Sequence, residues 1–177
     1  MSTLKVDNIL DTSGNDTVVG KILQVQYTIS STTGSQAFST GVTEALDGMS
    51  VNITPSSTNS KIFLQANWFG EFSNFAGAYN GMFGFLRNSA RVFPYTADNR
   101  QYGIMSGYIG YMNDAASTPE GSFFHYVDAP ATTSQITYDA CWTGSAYTMY
   151  HNRTVNDTNA GGYERGVSMI MAMEIAG

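Results

Sequence analysis

The residue types that most often carry catalysis or bind metals are scarce in this 177-residue chain. It has two histidines, His125 and His151, and one cysteine, Cys141. None of them stands at the short spacings that surround a zinc ion with ligands. His125 lies in an aromatic stretch, where a packed histidine is the simplest interpretation, and Cys141 lies in an apolar one. We therefore predict no metal site and no cofactor.

Hydrolytic chemistry is not indicated by the remaining residues either. The chain has no Gly-x-Ser-x-Gly turn of the kind that exposes a nucleophilic serine. Two carboxylates at a suitable distance could cleave a glycosidic bond, but the 14 carboxylates here are scattered, mostly in loop-like stretches where aspartate is ordinary turn chemistry. We expect a protein that is not an enzyme and has no catalytic residues.

The positive feature is a set of aromatic side chains among Asn, Gly and Ser in predicted loops. Such rings bury area at little entropic cost and are common on recognition surfaces. A core or a subunit interface would use the same rings, so both interpretations stay open. The loop residues that we predict to contact a receptor are Tyr79, Tyr95, Arg100, Tyr102, Tyr147, His151 and Arg153.

The charge composition limits the classes of partner. Only 12% of the residues are charged, against roughly 25% in an average protein. The net charge of −6 argues against a nucleic-acid partner, which would require a basic surface to neutralise phosphates. A surface rich in Ser, Thr, Asn and Gly suits packing into a larger assembly, or contact with neutral polar partners such as glycans.

The hydrophobic pattern that must position these loops has a period of two. Nine or ten short alternating segments are separated by Asn, Asp, Pro and Gly, and no segment has helical periodicity. Lys61–Gly70 is the clearest internal strand, and Asn88-Ser89 is a candidate two-residue turn. This pattern predicts an all-β protein, an antiparallel β-sandwich or jelly roll, over residues 21–177.

The final strand predicted from this pattern, Gly166–Ile175, is unusually apolar. Alternation puts five large side chains on one face, so we predict that this face lies in the core or against another subunit. An exposed edge of this kind would pair with other chains, which favours a central or covered strand. The five side chains are Val167, Met169, Met171, Met173 and Ile175.

Residues 1–20 are predicted to form a short segment that anchors the protein to other chains. They carry a few apolar residues and a turn-rich stretch, too little to bury a core of their own. We see no apolar core of a signal peptide, and no window of the 18–20 apolar residues that cross a membrane. The expectation is synthesis without export and no membrane insertion. The predicted anchor residues are Leu4, Val6, Ile9 and Leu10.

Six short segments, in this order and spacing, carry a family resemblance. They are Met1–Ile9, Gly20–Val25, Ile53–Ile62, Phe85–Asn88, Asp128–Tyr138 and Ser168–Ile175. Together they resemble short structural proteins of tailed bacteriophages, notably phages of marine bacteria and cyanobacteria. The resemblance implies a tail-fibre or tail-associated subunit, located in the virion, with a C1q-like jelly roll that forms a homotrimer. It supplies no catalytic motif, and this chain lacks the long repetitive shaft of such fibres.

Three functional hypotheses follow from the residues and the resemblance. The first is a short tail fibre or fibre tip that contributes to host attachment through a surface glycan or protein. Its other partners would be further copies of itself and, through the N-terminus, other virion proteins. The second is a capsid or tail decoration protein that binds no receptor. The third is a depolymerase of host polysaccharide.

Overall fold

The structure is a computed structural model that describes residues 20–93, 100–107 and 116–177. Strands make up 55% and helix 3%, which confirms the predicted all-β class with antiparallel sheets packed as a sandwich-like fold. The elements are β1 (Ile22–Ser30), β2 (Gly34–Ala37), β3 (Thr43–Ile53), β4 (Lys61–Phe72), α1 (Phe75–Tyr79), β5 (Gly81–Arg87), β6 (Ala90–Arg91), β7 (Met105–Ser106), β8 (Glu120–Asp128), β9 (Ile136–Gly144), β10 (Thr148–His151) and β11 (Ser168–Ile175).

The larger sheet is organised around β4, whose 12 residues pair along both edges. On one edge β4 pairs with β8. On the other edge it pairs first with β11, over Lys61–Asn67, and then with β10, over Gly70–Phe72. β1 lies outside β11 and β2 lies outside β10. Because β10 pairs with Gly70–Phe72, the larger sheet continues past Ser168, the first residue of β11. Several loops lie at this end of the sheet.

The second sheet has β9 between β3 and β5, with the short strands β6 and β7 on the far edge of β5. The two sheets enclose an aromatic core. The rings of Trp68 and Phe83 lie 5.5 Å apart, and Phe83 lies 4.8 Å from Trp142. Cys141 is 1% exposed, as predicted for a core residue, and burial raises the pKa of its thiol to about 12.

The predicted final strand is confirmed, but its inward face is the opposite one. β11 is a central strand between β1 and β4. The side chains buried in the sandwich are those of Ser168, Ile170, Ala172 and Glu174. Placing the methionine face in the core of a single chain was therefore wrong, whereas its burial against another subunit stays a prediction. The half-buried or exposed side chains on the other face are Val167, Met169, Met171, Met173 and Ile175.

The inner face of β11 has a buried polar side chain at each end, Ser168 and Glu174. Both can be buried because segments remote in the sequence form hydrogen bonds with them. The Glu174 carboxylate accepts hydrogen bonds from Gln24 at 2.7 Å, from both the amide and the hydroxyl of Ser56, and from the Ser60 hydroxyl. At the other end, the Ser168 hydroxyl donates to Asn152 at 2.7 Å. Buried polar groups with such partners avoid the cost of desolvation without a hydrogen bond.

Two local predictions have clear outcomes. Asn88 and Ser89 form the tight turn between β5 and β6, with φ angles of 49° and 69°. The stretch from Glu71 to Asn80, predicted as a loop, instead ends β4 and then contains α1. Asn74 begins this helix because its side chain accepts the Ala76 amide at 2.8 Å, a typical N-cap.

Candidate functional site

The outward side chains of β1, β11, β4 and β8 form one continuous surface, called the outer face below. The strand register aligns them in three rows across the four strands. The rows are Val25, Met173, Phe63 and Val127; then Tyr27, Met171, Gln65 and His125; then Ile29, Met169, Asn67 and Phe123.

The outer face is apolar and open to solvent in the single chain. Tyr27 is 62% exposed, Ile29 58% and Phe123 52%. None of the 12 side chains is an Asp, Glu, Lys or Arg, so these rows lack the charges that usually protect an exposed sheet; a charge follows only beyond them, at Lys61, which pairs with Ile175. At standard strand spacings it covers roughly 19 by 20 Å, or about 400 Å² before side-chain relief. That is within the range of the largest, often functional, patches on monomeric proteins.

His125 lies in the middle row of this face and is exposed. Its ring centre is 6.0 Å from that of Phe63 and 6.4 Å from that of Phe123. The predicted packed or hydrogen-bonded histidine is therefore, in the single chain, an exposed ring that lies beside two aromatic side chains.

The sandwich has two distinct ends. At one end the Gly20 amide donates to the Ala176 carbonyl at 2.9 Å, so β1 begins beside the end of β11. β1 then runs eight residue steps, or about 26 Å, to Ser30, which pairs with Ser168. We call the end of the sandwich at Ser30, Ser168 and Phe72 the distal end. The loops that contain Tyr79, Tyr147 and Arg153 lie there.

The predicted contact residues divide into several groups. Tyr79 is 57% exposed, Arg100 is exposed, and Tyr147 is half-buried. Tyr102 is half-buried on the segment that leads to β7 of the other sheet, with the Arg91 guanidinium 4.1 Å from its ring centre. The four that lie at the distal end are Tyr79, Tyr147, His151 and Arg153. Tyr95 and the anchor residues Leu4, Val6, Ile9 and Leu10 lie outside the described residues.

Arg153 is held by its own loop. Its guanidinium donates to the carbonyls of Thr154 and Val155 at 3.0 Å each. The same group lies 4.5 Å from the centre of the Tyr150 ring. The side chain is half-buried, so a ligand would meet only part of it.

His151 is the clearest correction among these residues. It was predicted as a surface group, but it is 4% exposed. Trp68 Nε1 donates to His151 Nδ1 at 3.0 Å, so the ring proton lies on Nε2, which is 3.2 Å from Gln36 Oε1. Burial lowers the pKa of His151, and the charge of Asp47 opposes this effect. The imidazole is therefore a neutral group fixed from both sides.

His151 borders a cavity of about 350 Å³ at the distal end, which we call the distal cavity. Three separate segments enclose it: the turn between β1 and β2, the Asp47-Gly48 turn within β3, and the end of β10. No pattern in the sequence indicated this cavity, because its walls are far apart in the chain. Four hydroxyl-bearing residues and one aspartate are among the lining residues: Ser30, Thr32, Thr33, Ser35 and Asp47.

Asn152 supports the wall of the distal cavity from inside the protein. It is 1% exposed and has a φ of 59°, the left-handed region that asparagine tolerates better than most residues. Its side-chain amide donates to the Thr32 carbonyl at 2.9 Å, and its side-chain oxygen accepts the Ser168 hydroxyl. This residue thus connects the β1–β2 turn to the central strand β11.

A second polar network holds the other distal loops. The buried Glu71 carboxylate accepts the Thr118 hydroxyl at 3.0 Å and the Val155 amide at 2.6 Å. Glu120, 4% exposed, accepts the Phe72 amide at 2.7 Å. Burial, with a smaller contribution from the charge of Glu71, raises the pKa of Glu120 to about 8, although the Phe72 hydrogen bond opposes the shift. Glu120 therefore keeps its proton at neutral pH.

A groove of about 370 Å³ lies on the loop before β11, beside the ion pair of Asp157 and Arg165 at 2.7 Å. This ion pair is exposed, and such pairs contribute little to stability. Within residues 20–93, 100–107 and 116–177, no group of three or more His, Cys, Asp and Glu residues could hold a metal ion. The same residues include no helix long and apolar enough to cross a membrane.

Comparison with known proteins adds no assignment. No protein-family model matches the chain, and the search of curated proteins found no match.

Proposed function

We propose that this protein is a structural subunit of a bacteriophage virion, a short tail fibre or fibre tip that forms a homotrimer and contributes to host attachment. The family resemblance described above suggests that the protein is part of a virion and that it forms a trimer. The observation that carries the proposal is the apolar outer face, which a single chain would leave in contact with water.

The energetic argument for a partner copy is direct. Burying a large apolar side chain contributes about 1.5–3 kcal/mol relative to leaving it in water. The outer face offers Tyr27, Ile29, Phe123 and Val127, each more than half exposed, around the row of methionines on β11. Because no Asp, Glu, Lys or Arg side chain interrupts these rows, a second copy could cover them without burying an unpaired carboxylate or ammonium group.

The order of the strands supports the jelly-roll form of the proposal. In a jelly roll, strands pair from the outside of the sequence inward. Here β1 pairs with β11, β3 with β9, β4 with β8, and β5 with the short β6 and β7. The C1q-like proteins named above use such a domain as a homotrimer, and the outer face is the surface that we assign to that contact.

The two ends of the sandwich suit an attachment protein. Residues 1–19 join the domain at Gly20, beside Ala176. The distal loops lie about 26 Å from there, at the other end of β1. An N-terminal virion anchor and a host-facing end would thus be separated by the length of the domain.

The second candidate is a decoration protein of capsid or tail that binds no receptor. It is favoured by the fact that, of the predicted contact residues in the described part of the chain, only Tyr79 and Arg100 are exposed. A depolymerase has less support. Glu71 and Glu120 are both buried in the described structure, with their oxygens accepting backbone amides.

The assembly is tested by measuring the molar mass of the full chain in solution. We expect three times the chain mass of 19.2 kDa for the wild type. Met171→Asp should give folded monomers, because Met171 lies at the centre of the outer face and outside the core. Val42→Asp is the matched control, since Val42 is 48% exposed in the turn before β3 and should leave the mass unchanged.

Circular dichroism distinguishes loss of assembly from loss of folding. If the Met171→Asp protein stays trimeric, the outer face is not the contact between subunits. A wild-type protein that is monomeric at micromolar concentration would contradict the self-assembling fibre and favour decoration, in which other virion proteins cover the face.

A further inference from the structure

We propose that the distal cavity binds one neutral sugar unit. The cavity and its chemistry belong to the single chain. The interpretation of this cavity as the contact with a host glycan rests on the proposed function above.

The size of the cavity suits a ligand of this class. Its volume of about 350 Å³ lies at the lower end of the roughly 300–1,000 Å³ typical of small-molecule sites. Gly34, on β2, forms part of the wall, and a Cβ atom built there meets no atom within 4 Å. A side chain introduced at Gly34 would therefore have open space beside the cavity.

The lining indicates a neutral, hydroxylated ligand. The hydroxyls of Ser30, Thr32, Thr33 and Ser35 can each donate and accept hydrogen bonds. Among the described residues, Asp47 is the only lining residue with a formal charge, because the His151 imidazole is neutral. A carboxylate accepts charge-assisted hydrogen bonds from two neighbouring hydroxyls of a sugar ring. With no cation among the lining residues that the structure describes, a phosphate or an acidic sugar would be repelled.

Hydrogen bonds hold the backbone of Asp47 and Thr32 and the ring of His151 in place before any ligand arrives. Gln36 accepts the Asp47 amide at 3.0 Å and donates to the Ala45 carbonyl at 2.8 Å, while it also contacts His151 Nε2. On the other side, Asn152 fixes Thr32. Supporting hydrogen bonds of this kind reduce the entropy lost when a ligand binds. A surface depression formed only by loop packing would not require such a network.

The cavity also lies at the distal end, opposite the point where residues 1–19 join the domain. A site at that end would be directed away from an N-terminal anchor. This position connects the sugar site with attachment, because the ligand would approach from the side of the host.

The test is saturation-transfer NMR and titration of the full chain with free D-glucose, D-galactose, D-mannose and N-acetylglucosamine, with D-glucuronate as the acidic probe. We expect at least one neutral sugar to bind and glucuronate to bind more weakly than glucose. Asp47→Asn should weaken binding at least tenfold. Gly34→Phe should abolish it, because the ring would occupy the cavity.

Matched controls are available in the loop before β11. Gly162 also has open space around a built Cβ atom, so Gly162→Phe adds the same ring elsewhere. Asp157→Asn removes a carboxylate from the other groove. Both control variants should bind the sugar like the wild type.

Several results would overturn the proposal. They are the absence of binding by all four neutral sugars at tens of millimolar, binding that survives Gly34→Phe, and a preference for glucuronate. Binding lost in Asp157→Asn but kept in Asp47→Asn would assign the sugar to the other groove. A trimer that binds no sugar would contradict this site alone, whereas a monomer that binds sugar would contradict the proposed assembly alone.

Discussion

At the scale of single residues, two buried glutamates respond to pH in opposite ways. Glu120 is kept protonated by burial, which raises its pKa to about 8. For Glu174, burial alone would raise the pKa, but hydrogen bonds from Gln24, Ser56 and Ser60 lower it to about 2. The folded state therefore prefers a neutral Glu120 and an ionised Glu174. The stabilising effect of Glu174 is lost as the pH falls from about 4.5 towards 2.

Glu120 gives a prediction for the alkaline side. The usual pKa of an unfolded glutamate is 4.5, so between pH 4.5 and 8 the folded state holds a proton that the unfolded state releases. The contribution of Glu120 to the free energy of unfolding then falls as the pH rises, by at most about 1.4 kcal/mol per pH unit. Glu120→Gln should flatten this decline and stabilise the protein at pH 8. Its side-chain oxygen can still accept the Phe72 amide.

The measurement is urea denaturation of both proteins at pH 5, 6.5 and 8. Glu164→Gln is the control, because Glu164 is exposed and its replacement should leave the profile unchanged. A Glu120→Gln variant whose stability has the same pH dependence as that of the wild type would contradict the buried neutral carboxyl.

At the scale of elements, the turn between β5 and β6 contains an unfavourable backbone conformation. Its effect on the free energy of unfolding can be measured by substitution. Ser89 is exposed and has a φ of 69°, a conformation that is unfavourable for residues other than glycine. Ser89→Gly should therefore raise the free energy of unfolding by about 0.5–1 kcal/mol. Ala90→Gly should lower it by a similar amount, because Ala90 lies in a strand with ordinary φ.

Thermal or urea denaturation of the two variants checks the hairpin. Opposite signs at neighbouring positions would show that the gain at residue 89 comes from the positive φ. If both glycines destabilise the protein, the tight two-residue turn is not the conformation of this hairpin in solution.

Alternation in the sequence predicted the strands and this turn, but it could not predict which face of β11 lies inward. A period of two shows that two faces differ, and here both faces carry apolar residues. The inner face contains Ser168 and Glu174, polar residues that the neighbouring sequence alone would predict to face solvent. They are buried because residues more than 90 positions away, such as Phe69 and Ser56, provide their hydrogen-bond partners.

His151 and the distal cavity escaped prediction for the same reason. A histidine in a polar stretch is interpreted as a surface residue until Trp68 and Gln36 are placed beside it. The cavity joins residues 30–35, the Asp47-Gly48 turn and His151, which no spacing in the sequence brings together. The candidate site could thus be recognised only in the folded structure, whereas the aromatic loops could be recognised from the residue types in the sequence.

At the scale of the whole molecule, the domain and the N-terminal segment should be separable. Every buried hydrophobic residue in the described core lies between Phe38 and Ala172. The outer face also begins only at Val25. Removing residues 1–19 should therefore leave the molar mass of the assembly and its thermal midpoint close to those of the full chain.

The same truncation should prevent incorporation into virions, because it removes all but the last residue of the proposed anchor, residues 1–20. Tagged versions of the full chain and of residues 20–177, produced in infected cells, would be compared by their amounts in purified particles. Met171→Asp in the full chain supplies the reciprocal control, since it keeps the anchor and loses the subunit contact. A truncated protein that becomes monomeric would mean that residues 1–19, and not the outer face, hold the copies together. Particles that still incorporate residues 20–177 would instead assign virion attachment to the β-sandwich itself.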